Sequence, residues 1–335
     1  MPRVTQKDIA IQLGLSASLV SRALAGTADR IGADPATVQR IREEARTLGY
    51  VPSATARQLR GQGPSVIGLT VADLQDPFFG PAVAEVISQS HRAGYALTLT
   101  GFERRQPGLP DVNLLLQQDL QALLVLGSGP LEWARPFVAR GCKLIRIGSG
   151  PMIEGGTQVS LDESWGMKLV VEHLVNNGHR HFAFIGVRLS IHEERLRWAR
   201  HHLKRFGLTL SSNRTIMADT EVLEAGMAGV VQLARQCGGE WPSAIICSSD
   251  AVALGALRGV AMQGLRVPEH VSLTGFDDLG LASLATPPLT SVRQPLGEMV
   301  REALQRASHR PVPAPLPAHK PSLIVRASTT AAWNA

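Results

Sequence analysis

The chain has 335 residues, 44% hydrophobic and 19% charged, a globular composition that excludes a disordered or fibrous protein. No apolar run reaches the ~18–20 residues of a membrane-spanning helix, and the first residues carry Lys7 and Asp8 where a secretory signal would have its apolar core. Cys142, Cys237 and Cys247 are too few and too scattered for a disulfide framework or a paired-cysteine metal site, so the sequence reads as cytoplasmic.

The net charge of +6 is unevenly spread. Residues 1–60 hold nine Lys/Arg and five Asp/Glu, leaving +4, and the rest of the chain leaves only +2. A basic head on a near-neutral body suggests that the head meets a polyanion.

Three short helices are predicted in that head. Thr5 caps the first, with Asp8 at capping-box spacing, and Gly14 ends it. Ser16 caps the second only two residues later. Asp34 caps the third, Pro35 takes its first position, and Val38, Ile41, Ala45 and Leu48 form its apolar stripe up to Gly49. Two helices joined by so short a Gly-containing turn form a helix-turn-helix, whose second helix enters the major groove. Its outward residues are Ala17, Ser18, Ser21 and Arg22. The Arg22 fork suits a guanine edge, and the hydroxyls of Thr5, Ser16 and Ser21, with the helix N-terminus, suit phosphate oxygens. On spacing alone, a plain three-helix packing module with a solvated Arg22 stays open.

These residues carry a resemblance. The stretches Val4-Thr5-Gln6-Lys7-Asp8-Ile9-Ala10, Gly14-Leu15-Ser16, Val20-Ser21-Arg22-Ala23-Leu24 and Leu48-Gly49-Tyr50-Val51-Pro52-Ser53 resemble the start of the lactose/galactose repressor family of bacterial transcription regulators. The resemblance implies that Ala17, Ser18 and Arg22 read bases. It also implies that residues 53–64 are a hinge in which Ala56 and Leu59 meet the minor groove and Leu59 wedges between base pairs. Two positions depart from the family pattern: Leu19 stands for the usual Thr and Ala25 for the usual Asn.

From Ser65 onward, β-rich runs alternate with helical stretches. Strands are predicted at Val66–Val71, Ala96–Thr100, Ala122–Leu126, Lys143–Ile147, His181–Ile185, Ala244–Cys247 and Val271–Gly275. Helices are predicted at Pro81–Ala93, Glu163–Asn176, Arg195–Phe206 and Ala251–Gln263. This alternation predicts an α/β body of two doubly wound parallel-sheet lobes, like a periplasmic binding protein, behind an all-α helix-turn-helix head. The expected division is 1–52 for the DNA-binding head and 53–64 for the hinge. One lobe takes 65–162 and 292–320, the other 163–291 and 321–335, with crossovers near Asp162, Ser291 and Pro321. The runs Asp76-Pro77-Phe78-Phe79, Gly178-His179-Arg180, Ser249-Asp250, Gly264-Leu265-Arg266-Val267-Pro268 and Gly275-Phe276-Asp277-Asp278 extend the family resemblance across the body.

Ligands of open parallel sheets bind at the carboxyl ends of the strands. Candidate effector-binding residues there are Phe78, Phe79, Arg146, Arg195, Ser249, Asp250 and Asp277; the resemblance implies Arg195 and Asp277 as hydroxyl-binding groups. Blander readings remain beside these. Asp250 and Asp277 can be helix caps, Arg195 a surface partner of Glu193 or Glu194, and Phe78 and Phe79 core. Trp198 replaces a usual Gly and Glu221 a usual aromatic ring, while Arg146, Arg195 and Arg197 together would tolerate an acidic ligand.

Other chemistries find little support. The pairs His179/His181 and His201/His202 have no Cys or carboxylate at metal-site spacing, so no metal and no cofactor are expected. The Gly-Ser loops at Gly127 and Gly148 lack the residues of a phosphate-binding or dinucleotide loop, and no nucleophile elbow occurs. The expectation is a repressor, not an enzyme, acting as a homodimer on palindromic operator DNA away from any membrane. Its small effector is a sugar, sugar acid or sugar phosphate. The alternatives are a periplasmic-type sugar-binding protein and an α/β sugar-modifying enzyme.

Overall fold

The computed structural model describes residues 4–28, 32–50, 66–101, 109–219, 222–308 and 316–332. The chain forms two units, residues 1–64 and 65–335. The expected hinge, with Ala56 and Leu59, and Glu221 lie outside the described residues.

In the head, α1 (Gln6–Leu13), α2 (Ala17–Leu24) and α3 (Pro35–Thr47) start on the side chains that the sequence nominates. Thr5 Oγ1 accepts from the Asp8 amide at 3.3 Å, and Asp8 Oδ2 accepts from the Thr5 amide at 2.8 Å. Ser16 Oγ accepts from the Leu19 amide, and Asp34 from the amides of Ala36 and Thr37. Gly14, at φ +65°, turns the chain out of α1 into the left-handed region where a side chain costs energy. None of the three helices is long enough to persist alone in water. Their mutual burial of Ile9, Val20, Ala23, Val38, Ile41 and Ala45 holds them, at roughly 1.5–3 kcal/mol for each large side chain. Leu19 packs against this core, which accounts for an apolar residue at that position.

The body holds two sheets. The first consists of β1 (Val66–Val71), β2 (Ala96–Gly101), β3 (Ala122–Leu126), β4 (Lys143–Ile147) and β5 (Gly156–Val159), in the order β2-β1-β3-β4-β5, all parallel. The second consists of β6 (Phe182–Val187), β7 (Thr215–Ala218), β8 (Ala244–Cys247), β9 (Ser272–Asp277), β10 (Thr290–Arg293) and β11 (Ser322–Ile324), in the order β11-β10-β9-β8-β6-β7. Among the described residues, only the β10–β11 pair is antiparallel. The central strands β3, β6 and β8 are buried along their whole length, as near-continuous apolar strands covered on both faces must be.

Helices α4 (Phe79–Arg92), α5 (Leu109–Leu116) and α6 (Arg135–Ala139) belong to the first lobe. To the second belong α7 (Glu163–Asn176), α8 (Ser190–Arg205), α9 (Val222–Cys237), α10 (Asp250–Met262) and α11 (Gly280–Leu284). The final helix, α12 (Leu296–Ala307), packs on α4, β4 and β5, so the chain has returned to the first lobe. That return follows β10, whose pairing with β9 runs to Arg293, two residues beyond the expected crossover. A third passage runs beside the first: His319 donates its amide to Ser160 O, and Asp162 donates its own to His319 O. In the second lobe α9 and α10 touch backbone to backbone at Gly226 and Gly255. A Cβ on either would overlap a carbonyl oxygen of the other helix, Val252 or Leu223.

Candidate ligand cavity and nucleic-acid face

The head presents one candidate face. On α2, Ala17, Ser18 and Arg22 are exposed and Ser21 is half-buried, while Val20 and Ala23 turn inward. Thr5 and Ser16 sit at the starts of α1 and α2, where uncapped amides and the helix dipole favour anions. Both hydroxyls already serve as caps. Contact with a phosphate is therefore additional to a structural task.

In the body, a cavity of about 330 Å³ lies at the carboxyl ends of strands from both sheets. Its lining comes from the loops after β1, β3 and β4 in the first lobe and from those after β6, β8 and β9 in the second. Five expected residues line it: Phe78, Phe79, Arg195, Ser249 and Asp277. Phe78 and Phe79 meet edge to face at 5.3 Å and form the apolar wall at the start of α4. Ser249 Oγ caps α10 by accepting from the Val252 amide.

Arg195 forms the charged floor. It is 4% exposed and lies over the Phe276 ring at 3.7 Å. Its Nε donates to Glu163 Oε2 at 2.9 Å, and Nη1 donates to Ser248 O at 2.7 Å and lies 3.5 Å from Asp277 Oδ1. Glu193 and Glu194, the neighbours in sequence, are not its ion-pair partners. Burial works against the guanidinium charge, but Glu163, Asp277 and Asp250 outweigh it and raise its pKa. Burial also raises Glu163 from its ordinary value and Asp277 well above its own, against the pull of Arg195. One cation cannot fully compensate the burial of several carboxylates, so charge on each is costlier here than in water.

Asp277 has φ +111°, a region that side chains rarely adopt. Its neighbour holds it there, since Asp278 accepts from Arg293 and Arg326 at 2.6 Å each. Gln294 donates to Asp277 Oδ1 at 2.7 Å and lines the cavity itself. Strain of this kind gathers at binding sites, where surrounding contacts over-determine the backbone.

Two expected site residues turn elsewhere. Arg146 is fully buried, and its guanidinium donates to the carbonyls of Gly127, Gly129 and Pro151, the last at 3.0 Å. It ties together the loops that carry Ser128 and Ser149 and does not line the cavity. Asp250 is also fully buried: Oδ1 accepts from Ser291 Oγ at 2.5 Å and Oδ2 from the Leu279 amide at 2.7 Å. Its carboxylate staples α10 to the loop after β9 and to β10, and burial pushes its pKa up to about 7. Neither lines the cavity.

Sequence reasoning missed Glu163, His192 and Gln294 on the cavity lining. An acid in the first turn of a helix reads as a partner for the helix dipole, so nothing local marks Glu163 as buried. His192 is 3% exposed, with Nδ1 2.5 Å from Ser248 Oγ. No group of three His, Cys, Asp or Glu among the described residues could hold a metal ion. No helix among them is long and apolar enough to cross a membrane.

The fold and the cavity agree with what the chain is similar to. Residues 171–329 match the periplasmic binding protein-like domain family. The HTH-type transcriptional repressor CytR of Escherichia coli is 30% identical over 306 residues, covering 90% of this chain and 87% of that one. The HTH-type transcriptional regulator MalR of Streptomyces coelicolor is 30% identical over 351 residues, covering 97% and 96%. The crystal structure of the lac repressor dimer bound to operator and the anti-inducer ONPF superposes with a TM-score of 0.84 at 25% identity, covering 98% of this chain and all of that one. Identity at this level across both units, together with the capped helix-turn-helix, places the chain in the lactose/galactose repressor family of transcriptional regulators.

Proposed function

We infer that the protein is a repressor that grips a two-fold operator as a homodimer and changes its hold when a small carbohydrate occupies the body cavity. The observation that carries this reading is the cavity itself. It draws polar groups from strand ends of both sheets in a chain that also carries an exposed reading helix. A ligand contacting both lobes stabilises one lobe arrangement over others, and any difference in its affinity between arrangements becomes a difference in operator affinity. One head reads half a site, so dimerisation doubles the contact and matches a palindrome. Residues 53–64, expected to be a hinge helix and linker, join head and body in the sequence.

The lining favours a neutral sugar over a sugar acid or phosphate. Arg146 is withdrawn to carbonyls, and Arg195 is already matched by Glu163 and Asp277. Asp73 and Asp76 add negative charge, against the exposed Arg188, itself paired with Asp219 at 3.0 Å. Carboxylates and a guanidinium held side by side accept from and donate to vicinal hydroxyls.

An enzymatic role has little to work with. The Ser248–His192 pair has the spacing of a nucleophile and its base, but Ser248 is fully buried and does not line the cavity. Acting on DNA places the protein in the cytoplasm. Titrating the full chain onto its own promoter DNA, with and without neutral sugars, tests this function. Salt-dependent binding that a sugar alters supports it, and sugar turnover or the absence of DNA binding contradicts it.

A further inference from the structure

The cavity continues past Ser128 and Ser190. Beyond them lies a second hollow of about 440 Å³, bordered by Ser149, Gln158, Ser160, Glu194 and Arg197. Ser128, Ser149, Ser190 and Ile191 line both hollows, so the two share a wall. Across that wall Ser190 Oγ donates to Ser128 O at 3.3 Å, a direct hydrogen bond between the second lobe and the first.

The two linings differ in kind. The first hollow has the Phe78–Phe79 wall facing the Arg195 floor. The second is hydroxyl-rich, with one amide and one charge of each sign. Gln158 is held by donating to Gly148 O at 2.6 Å, and Glu194 by accepting from Trp198 Nε1 at 3.4 Å. Ser160 and Ser149 hydroxyls can each donate and accept. A net-neutral, donor-and-acceptor lining suits a polyhydroxyl group, and the first hollow, near the lower end of the ~300–1,000 Å³ range of ligand pockets, suits a single ring.

We propose that the effector is a neutral two-unit carbohydrate, a disaccharide or a glycoside, whose first ring sits between Phe78–Phe79 and Arg195 and whose second occupies the Ser160–Arg197 hollow. This proposal rests on the effector reading above and deepens it. Each unit then touches both lobes, because Gln158 and Ser160 belong to the first lobe and Glu194 and Arg197 to the second. A two-unit ligand spans the Ser190–Ser128 bridge, and a single ring reaches only one side of it.

The test is calorimetry on the full chain with maltose, cellobiose, sucrose and lactose against glucose, fructose and galactose. At least one disaccharide should bind about tenfold tighter than either of its components, the increment from two or so added net hydrogen bonds. Ser160→Leu, which fills the second hollow, should remove that advantage and leave monosaccharide affinity unchanged. Arg197→Ala, at an exposed position, should reduce the advantage in the same direction. Monosaccharides binding as tightly as every disaccharide, or both variants retaining the full disaccharide advantage, would overturn the two-unit proposal and leave the effector reading intact. If neither class binds or alters operator affinity, the effector reading itself falls and takes the proposal with it.

Discussion

Arg146 in the first lobe and Arg195 in the second are both hidden from solvent, at 0% and 4% exposure, yet their surroundings are chemical opposites. Arg146 meets backbone carbonyls, and burial draws its guanidinium down to about 10. Its Nε has no hydrogen-bond partner among the described residues. Arg195 meets Glu163 and Asp277, lies on an aromatic face and borders a cavity. Carbonyls hold a cation without competing for it in a ligand, so Arg146 serves loop geometry. Carboxylates beside a cation make a mixed donor and acceptor surface, so Arg195 serves recognition.

Removing each arginine tests that distinction. Arg195→Ala leaves Glu163 and Asp277 buried without their cation, and the expected cost is ~3–5 kcal/mol of stability together with loss of any sugar response. Chemical denaturation and a sugar titration measure the two effects. The companion Arg195→Lys keeps the charge and loses the fork, so it should recover part of the stability and little of the response. Arg146→Met strands carbonyls but no carboxylate, so the expected loss is ~1–3 kcal/mol. Sugar affinity should fall less than in Arg195→Ala, because Arg146 reaches the cavity only indirectly, through the loop carbonyls of Gly127 and Gly129. A larger effect of Arg146→Met than of Arg195→Ala on sugar binding would reverse the two assignments.

Protons sharpen the comparison. Asp250 binds its proton in the folded body up to about pH 7 but in the unfolded chain only up to about 3.8. Between those values the folded state carries more protons, so stability falls as pH rises through the window and levels off above it. The Asp277 and Glu163 shifts act in the same sense. Asp250→Asn should flatten part of this descent in a melting-temperature series, since an amide can still accept from the Leu279 amide and donate to Ser291. An unchanged slope would place the titration elsewhere.

The exposed Arg22 gives the smallest effect on stability. Arg22→Ala should leave the melting temperature unchanged and weaken operator binding by roughly 1–3 kcal/mol with relaxed base preference. Footprinting on the native operator and on single-base variants measures this.

Legibility followed how local the physics was. The head's caps, Thr5, Ser16 and Asp34, act within four residues of themselves and stand where the sequence puts them. The buried strands β1, β3, β4 and β8 are readable as apolar runs. The short strands β5, β7, β10 and β11, with residues such as Gly156-Thr157-Gln158 and Thr290-Ser291, carry no such signal and are strands because a neighbour supplies the ladder. Within the site, Phe78, Phe79, Arg195, Ser249 and Asp277 meet at the cavity because strand ends converge there. Arg146 and Asp250 also stand at strand ends, but rotamer and partner decide which way a side chain faces, and neither is written in spacing. Glu163, the closest carboxylate to Arg195, lies on the helix after the first crossover, so only the folded lobe brings the two together.

The most direct measurement is the affinity of the full chain for its operator by fluorescence anisotropy at fixed salt, with and without a saturating carbohydrate that calorimetry shows to be bound. The account predicts a change of about five- to 150-fold, the usual span of a coupling free energy, and the loss of that change in Arg195→Lys. Identical binding curves with the carbohydrate demonstrably in place would contradict it.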